Sequence, residues 1–280
     1  MSGSNPLTPQ GGDVLDTAQQ LTALEPSKRR RLIEKFALAA LGSIPWIGGF
    51  LSAAASFKTE EEGIRQDSLQ SLWLREHETK ISALHQTLEG IYGRFEGLGA
   101  VVEERIQSEE YLGLVRKAFR LWDLAETEEK RRYAANAVVN CAGTRVCSDD
   151  VVRLFMDWLA VYHESHFAVV REIFKNPGVT RYEIWTTLYG EVPREDSAEA
   201  DLYRMLIHDL STGRVIRQAR ETDHHGRFMK KQRTSRSGDA PTTLESSFED
   251  SKPYVLTELG KQFVHYTMNE VVGRLAEAET

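Results

Sequence analysis

The sequence predicts a mainly α-helical protein with one small β element, and three observations carry that prediction. From Leu74 to Val102 seam positions, all apolar but His77, recur at alternating spacings of three and four, the seam of one long helix. Helix-start signals punctuate the chain, as at Thr180 with Glu183 and at Asp196 with Glu199, where a short polar side chain and a carboxylate three residues on satisfy each other's backbone N–H groups. Short β-like runs, RVIRQAR at 214–220 and YVL at 254–256, stand on either side of a polar loop late in the chain.

Composition bounds the rest. With 280 residues, 41% of them hydrophobic, the chain has core material for one large or two ordinary domains. A net charge of -7 implies no wholesale attraction to nucleic acid or anionic lipid, so any such contact needs a local patch. Cys141 and Cys147 form neither a C-x-x-C pair nor a zinc pattern, which points to a reducing, cytoplasmic compartment. The start, MSGSNPLTPQGGD, has no charged segment leading into an apolar core and reads as part of a flexible tail over 1–26.

The elements follow in order. A short helix is expected over Asp13–Ala23, ending before Pro26. Ser27 then caps a basic amphipathic helix, SKRRRLIEKFALAA. This runs into the stretch around which the N-terminal part (27–147) is organised: Phe36–Phe57, FALAALGSIPWIGGFLSAAASF, 22 residues without a charge in a chain that is 28% charged. Its length reaches the roughly 20 residues of a membrane span. Pro45, Gly42, Gly48 and Gly49 weaken a continuous helix, so two short helices with a bend at GSIPWIGG fit better. Such a hairpin is either buried in the protein or seated in a lipid interface. The lipid reading assigns contact to Arg29, Arg30, Arg31, Ile44, Trp46, Ile47, Phe50 and Leu51, the arginines meeting anionic headgroups; the plainer reading of the arginines is a solvated helix face.

The heptad arm at 74–102 would extend about 42 Å as helix. Ile81, Leu84, Leu88, Ile91, Phe95 and Leu98 are expected to form an oligomer seam, giving a homo-oligomer or a partner-protein contact. Gly90, Gly93, Gly97 and Gly99 suit close approach of a partner helix or, alternatively, a hinge near 97–99. Helices are further expected at Tyr111–Ala125 and, opened by Thr127 and closed by Gly143, over TEEKRRYAANAVVNCA, with Cys141 a small buried hydrophobe.

From 148 to 280 a long helix (Asp150–Lys175) should stop at Asn176-Pro177-Gly178, followed by the helices that Thr180 and Asp196 open, a strand, a loop, a second strand and a helix from Thr257 to Glu277. GRVIRQAR followed across a variable loop by YVLTELGKQFVHY resembles the wing strands and closing helix of winged-helix proteins found among bacterial regulators, over roughly 150–275. The resemblance implies a winged helix-turn-helix, a fold that serves DNA binding, dimerisation and protein contact alike. Its recognition helix would be SAEADLYRMLIHDLST, but Glu199, Asp201 and Asp209 against Arg204 are wrong for a groove lined by phosphates. Sequence-specific DNA reading is therefore disfavoured. The uncharged stretch with the helices after it is also similar to bacterial abortive-infection and other phage-defence proteins.

The wing differs. Eight basic residues (Arg214, Arg217, Arg220, Arg227, Lys230, Lys231, Arg233, Arg236) face Glu221 and Asp223, a local balance of +6. All but Arg236 are expected as the principal anion contacts, to nucleic acid or lipid phosphate, unless the loop is simply solvated. His163 with His166, and Asp223 with His224 and His225, are the nearest approach to a metal set; no phosphate loop, zinc quartet or nucleophile elbow occurs. No enzyme activity, cofactor or metal is expected. The functional expectation is a membrane- or lipid-associating sensor or effector that self-assembles, in a role such as phage defence, peripheral at a membrane; the alternatives are a nucleic-acid-binding regulator and a protein-binding scaffold with the hairpin buried.

Overall fold

The run KRRRLIEKFALAAL is rich in strong helix formers and folds as α1, Lys28–Leu41. In this computed structural model the described residues are 28–49, 69–98, 100–220, 223–225, 227–229 and 245–269. The expected tail, the helix at 13–23 and the second half of the uncharged stretch lie outside them. After α1 the Gly42 N–H donates to the Leu38 carbonyl (2.9 Å), and a turn leads to Pro45, where helix resumes. Proline suits a first helical position because its missing N–H would be unpaired there anyway. The expected bend is present.

The heptad segment forms α2, Leu69–Leu98, and α3, Ala100–Ile106. Two capped helices follow. In α4, Glu109–Leu124, the Ser108 hydroxyl accepts from the Tyr111 N–H; in α5, Glu128–Gly143, Thr127 accepts from Lys130, and Glu128 and Glu129 occupy the first turn, where the helix dipole favours acids. Helix α4 packs on α1 and α5, and α2 packs on α5. Their shared core includes Phe36, Leu84, Leu88, Phe119, Trp122 and Tyr133.

Glycine is used differently from the expectation. A Cβ at Gly90 or Gly93 would meet nothing within 4 Å, whereas one at Gly143 would lie 3.0 Å from Leu98 Cδ1. Of these three the close approach is at Gly143 on α5; Gly99 lies outside the described residues. Cys141 is buried, its thiol donating to the Val138 carbonyl (3.3 Å). Burial pushes that thiol up to about 12, away from nucleophilic use.

Helix α6 spans Asp149–Val161, and the chain divides within it into two compact units, at Asp157 and Trp158; Asn269 belongs with the first. In the second, the helix expected to continue to Lys175 is interrupted. A separate helix, α7, spans Glu164–Lys175, because the His163 N–H donates to His166 Nδ1 (3.1 Å) and closes a capping box. Helix α8, Arg181–Tyr189, has the expected Thr180–Glu183 box. Helix α9, Ala198–Thr212, is capped by Ser197 rather than Asp196, because Asp196 instead accepts both bonds of the Arg194 fork at 2.8 Å.

Strand β1, Ile216–Gln218, pairs antiparallel with β2, Tyr254–Leu256, with Ile216 opposite Leu256. Helix α10, Glu258–Phe263, follows and continues as a π-helical turn, Val264–Met268. Gly260 permits its approach: a Cβ there would fall 2.1 Å from the Val215 carbonyl oxygen. The described chain is thus mainly helical with one two-stranded sheet.

Candidate functional site

Trp46 stands at the centre of the N-terminal expectations, and its indole is engaged by its own chain. The Trp46 Nε1–H donates to Asp123 Oδ1 (2.7 Å) near the end of α4. Lys80 on α2 pairs with the same oxygen (2.5 Å), donates to the Asp123 carbonyl (2.9 Å), and lies 5.5 Å over the indole ring. The His77 ring is 5.1 Å from the indole centroid. A carboxylate that neutralises the ammonium and receives the indole N–H satisfies every polar group the ring brings with it.

Other parts of the stretch are covered as well. Phe36 is 0% exposed and meets Tyr92, Phe95 and Phe119 edge-on at 5.3–6.0 Å. Ile44 is buried, which corrects its assignment to lipid: it belongs to the core of this unit. Ile47 is half-buried. Arg29, Arg30 and Arg31 lie on α1 with side chains outside the described residues, as do Phe50 and Leu51 entirely. None of the described helices is long and apolar enough to cross a membrane.

The seam has a similar fate. Ile81, Leu84, Leu88, Ile91 and Phe95 are buried, and Leu98 is half-buried against Gly143. Helices of the same chain occupy the face expected for a second copy. Beside it Arg94 donates to Asn136 Oδ1 (2.7 Å) and Asn140 Oδ1 (3.1 Å), and the Asn140 amide donates to the Asn269 carbonyl (2.8 Å). Both asparagines are 2% exposed, so this polar clamp fixes the α2–α5 register from inside the core.

In the second unit Arg217 on β1 and Arg220 after it lie over Phe228, at 4.8 and 6.0 Å from the ring centroid. Phe228 and Met229 are exposed. Arg214 and Arg220 are exposed, and Arg227 pairs with Asp223 (2.9 Å). Lys230, Lys231 and Arg233, with Arg236, lie outside the described residues. Asp223 Oδ1 accepts from the His225 and Arg227 N–H groups, closing a turn (both 2.9 Å).

The strap before β2 is anchored to α8 and α9. Glu195 accepts from the Ser247 N–H (3.1 and 3.0 Å to its two oxygens) and from the Ser246 hydroxyl. Phe248 stacks on Tyr203 at 5.6 Å and meets Trp185 edge-on at 5.1 Å. On the outer side of α9, Glu199, Asp201, Leu202, Met205 and His208 are exposed. Where α6 gives way to α7, His166 is buried and stacked on Tyr162 (5.0 Å), its Nε2 3.5 Å from Asp209 Oδ2. With Nδ1 accepting from His163, the neutral ring carries its proton toward Asp209. Burial holds the imidazole below its usual value, partly offset by the Asp209 carboxylate.

Sequence reasoning missed Asp123 and Lys80, which no local pattern links to Trp46. It did single out His163 and His166, whose three-residue spacing is also that of a capping box. Comparison with protein-family models, with curated proteins and with solved structures gives no match.

Proposed function

We propose that this chain is a non-enzymatic interaction protein: its helical unit holds the start of the uncharged stretch against its own helices, and a winged-helix-type unit docks a protein partner. One observation carries the reading, the seat of Trp46. An indole meant for a lipid interface keeps its N–H for headgroups and water; here it is spent on Asp123. The order α7, α8, α9, β1, β2, α10 supports the winged-helix reading, and the exposed face of α9 bears Glu199 and Asp201 beside Leu202 and Met205. Carboxylates there favour a protein partner over phosphate. Phage defence is the setting that the similarity to abortive-infection proteins implies.

Flotation of the full chain with anionic vesicles of phosphatidylglycerol and phosphatidylcholine tests this. The protein is expected to stay in the bottom fraction at physiological salt. Flotation that Trp46→Asp abolishes would overturn it and favour a lipid-associating effector, the reading to which the exposed Leu38 on α1 gives some support (71% exposed).

A further inference from the structure

We infer that the docked partner is a second copy of this chain, the acidic face of α9 on one copy seating against the basic wing of the other. The inference rests on the protein-docking reading above and names its partner.

The two surfaces match in composition and oppose in charge. On α9, Leu202 and Met205 are 48% and 45% exposed, and Glu199 and Asp201 flank them. From Arg194 to Asp209 there are five carboxylates and two arginines. Both arginines are engaged locally, Arg194 with Asp196 and Arg204 with Glu195, Ser247 and, at 4.0 Å, Asp201. The face therefore keeps a net negative charge around an apolar pair, with Glu199 the carboxylate on it that pairs with neither arginine.

On the wing, Phe228 and Met229 are 51% and 56% exposed, and the guanidinium groups of Arg217 and Arg220 cover the ring. Arg217 itself is half-buried, while Arg214 and Arg220 are exposed and supply the charge this surface presents. Among the described residues no ion pair joins these arginines to Glu199 or Asp201 of the same chain. An aromatic side chain among arginines is the composition of an interface centre, and opposed rims fix which surface meets which. Because the patches differ, each copy offers one of each kind. Reciprocal use closes a dimer; one-way use extends with concentration.

The experiment is light scattering on the eluting full chain at 50 and 500 mM NaCl, with two charge reversals: Glu199→Lys with Asp201→Lys, and Arg217→Glu with Arg220→Glu. The native chain is expected to assemble at low salt, with association weakened at least about tenfold at high salt, because exposed charges are screened. Each reversal alone is expected to be monomeric with an unchanged thermal melt. A mixture of the two, in which lysines on α9 meet glutamates on the wing, is expected to re-form a complex containing one of each.

A monomeric native chain at about 100 μM and low salt would overturn the inference. So would assembly that survives both reversals, or two monomeric variants that fail to combine, including the case where the wing reversal instead abolishes binding of random duplex DNA. The outcomes separate from those of flotation: a chain that floats on vesicles and still assembles through α9 and the wing sinks the earlier reading of Trp46 and leaves this one standing.

Discussion

Trp46 and Phe228 are both aromatic side chains with a cation over the ring, and they end in opposite situations. Lys80 lies 5.5 Å from the Trp46 ring, and Asp123 neutralises the ammonium while taking the indole N–H. Arg217 lies 4.8 Å from the Phe228 ring, which is 51% exposed, with no carboxylate bonded to that guanidinium among the described residues. One arrangement is complete within the chain; the other is left with charge and apolar surface to offer. A cation over a ring does not by itself mark a binding surface. The carboxylate beside it decides, because it removes both the charge and the polar handle that a partner would use.

The largest expected effect probes the core that the uncharged stretch helps to build. Phe36→Ala should lower unfolding stability in urea by about 3–5 kcal/mol, the range for a fully buried phenylalanine. Asp123→Ala comes next, at about 2 kcal/mol, because it leaves the Trp46 N–H without its acceptor and the partly buried Lys80 ammonium without its counter-charge, only the Asp123 carbonyl remaining to it. Asp123→Asn, which keeps an acceptor, should recover about half of that loss. A loss below about 0.5 kcal/mol for Asp123→Ala would erase the contrast with Phe228.

A pH effect sharpens the same contrast between interior and surface. Burial lowers the folded-state value of His166 below its ordinary 6.5, so between the two the unfolded chain binds more protons. Stability is then full above about 6.5 and falls as pH drops toward the lowered value. Protonation also removes the Nδ1 acceptor that caps α7. Urea midpoints at pH 7.5 and 5.5 should fall less in His166→Gln than in the native chain; equal falls would contradict the assignment. The smallest effect belongs to Phe228→Ala, expected within about 0.5 kcal/mol by the same urea measurement, as for an exposed side chain.

Local grammar was legible and occupancy was not. The Thr180–Glu183 box, Thr127, the bend before Pro45 and the YVL strand are readable because each is settled within a few residues. The spacing from Leu74 to Val102 identifies an apolar face, but Ile81, Leu84 and Leu88 carry no mark saying whether another helix of the chain or a second copy covers them. Trp46 and Asp123 are 77 residues apart, and only the packing of α1 and α2 around α4 brings them together. Glycine was read too locally: Gly93 on the arm faces open space, while Gly143 and Gly260 sit against Leu98 and Val215. The interruption at His163 was hidden because histidine is an uncommon cap and the surrounding apolar period continues across it.

The central claim is that the Trp46 indole is held by its own chain, through Asp123. Fluorine NMR of protein labelled with 5-fluorotryptophan tests it most directly, the Trp46 signal being identified among five tryptophans by its absence in Trp46→Phe. The signal should shift in Asp123→Asn and stay unmoved when anionic vesicles are added. A signal that is indifferent to Asp123→Asn but shifts or broadens with vesicles would place the indole at a lipid surface and contradict the account.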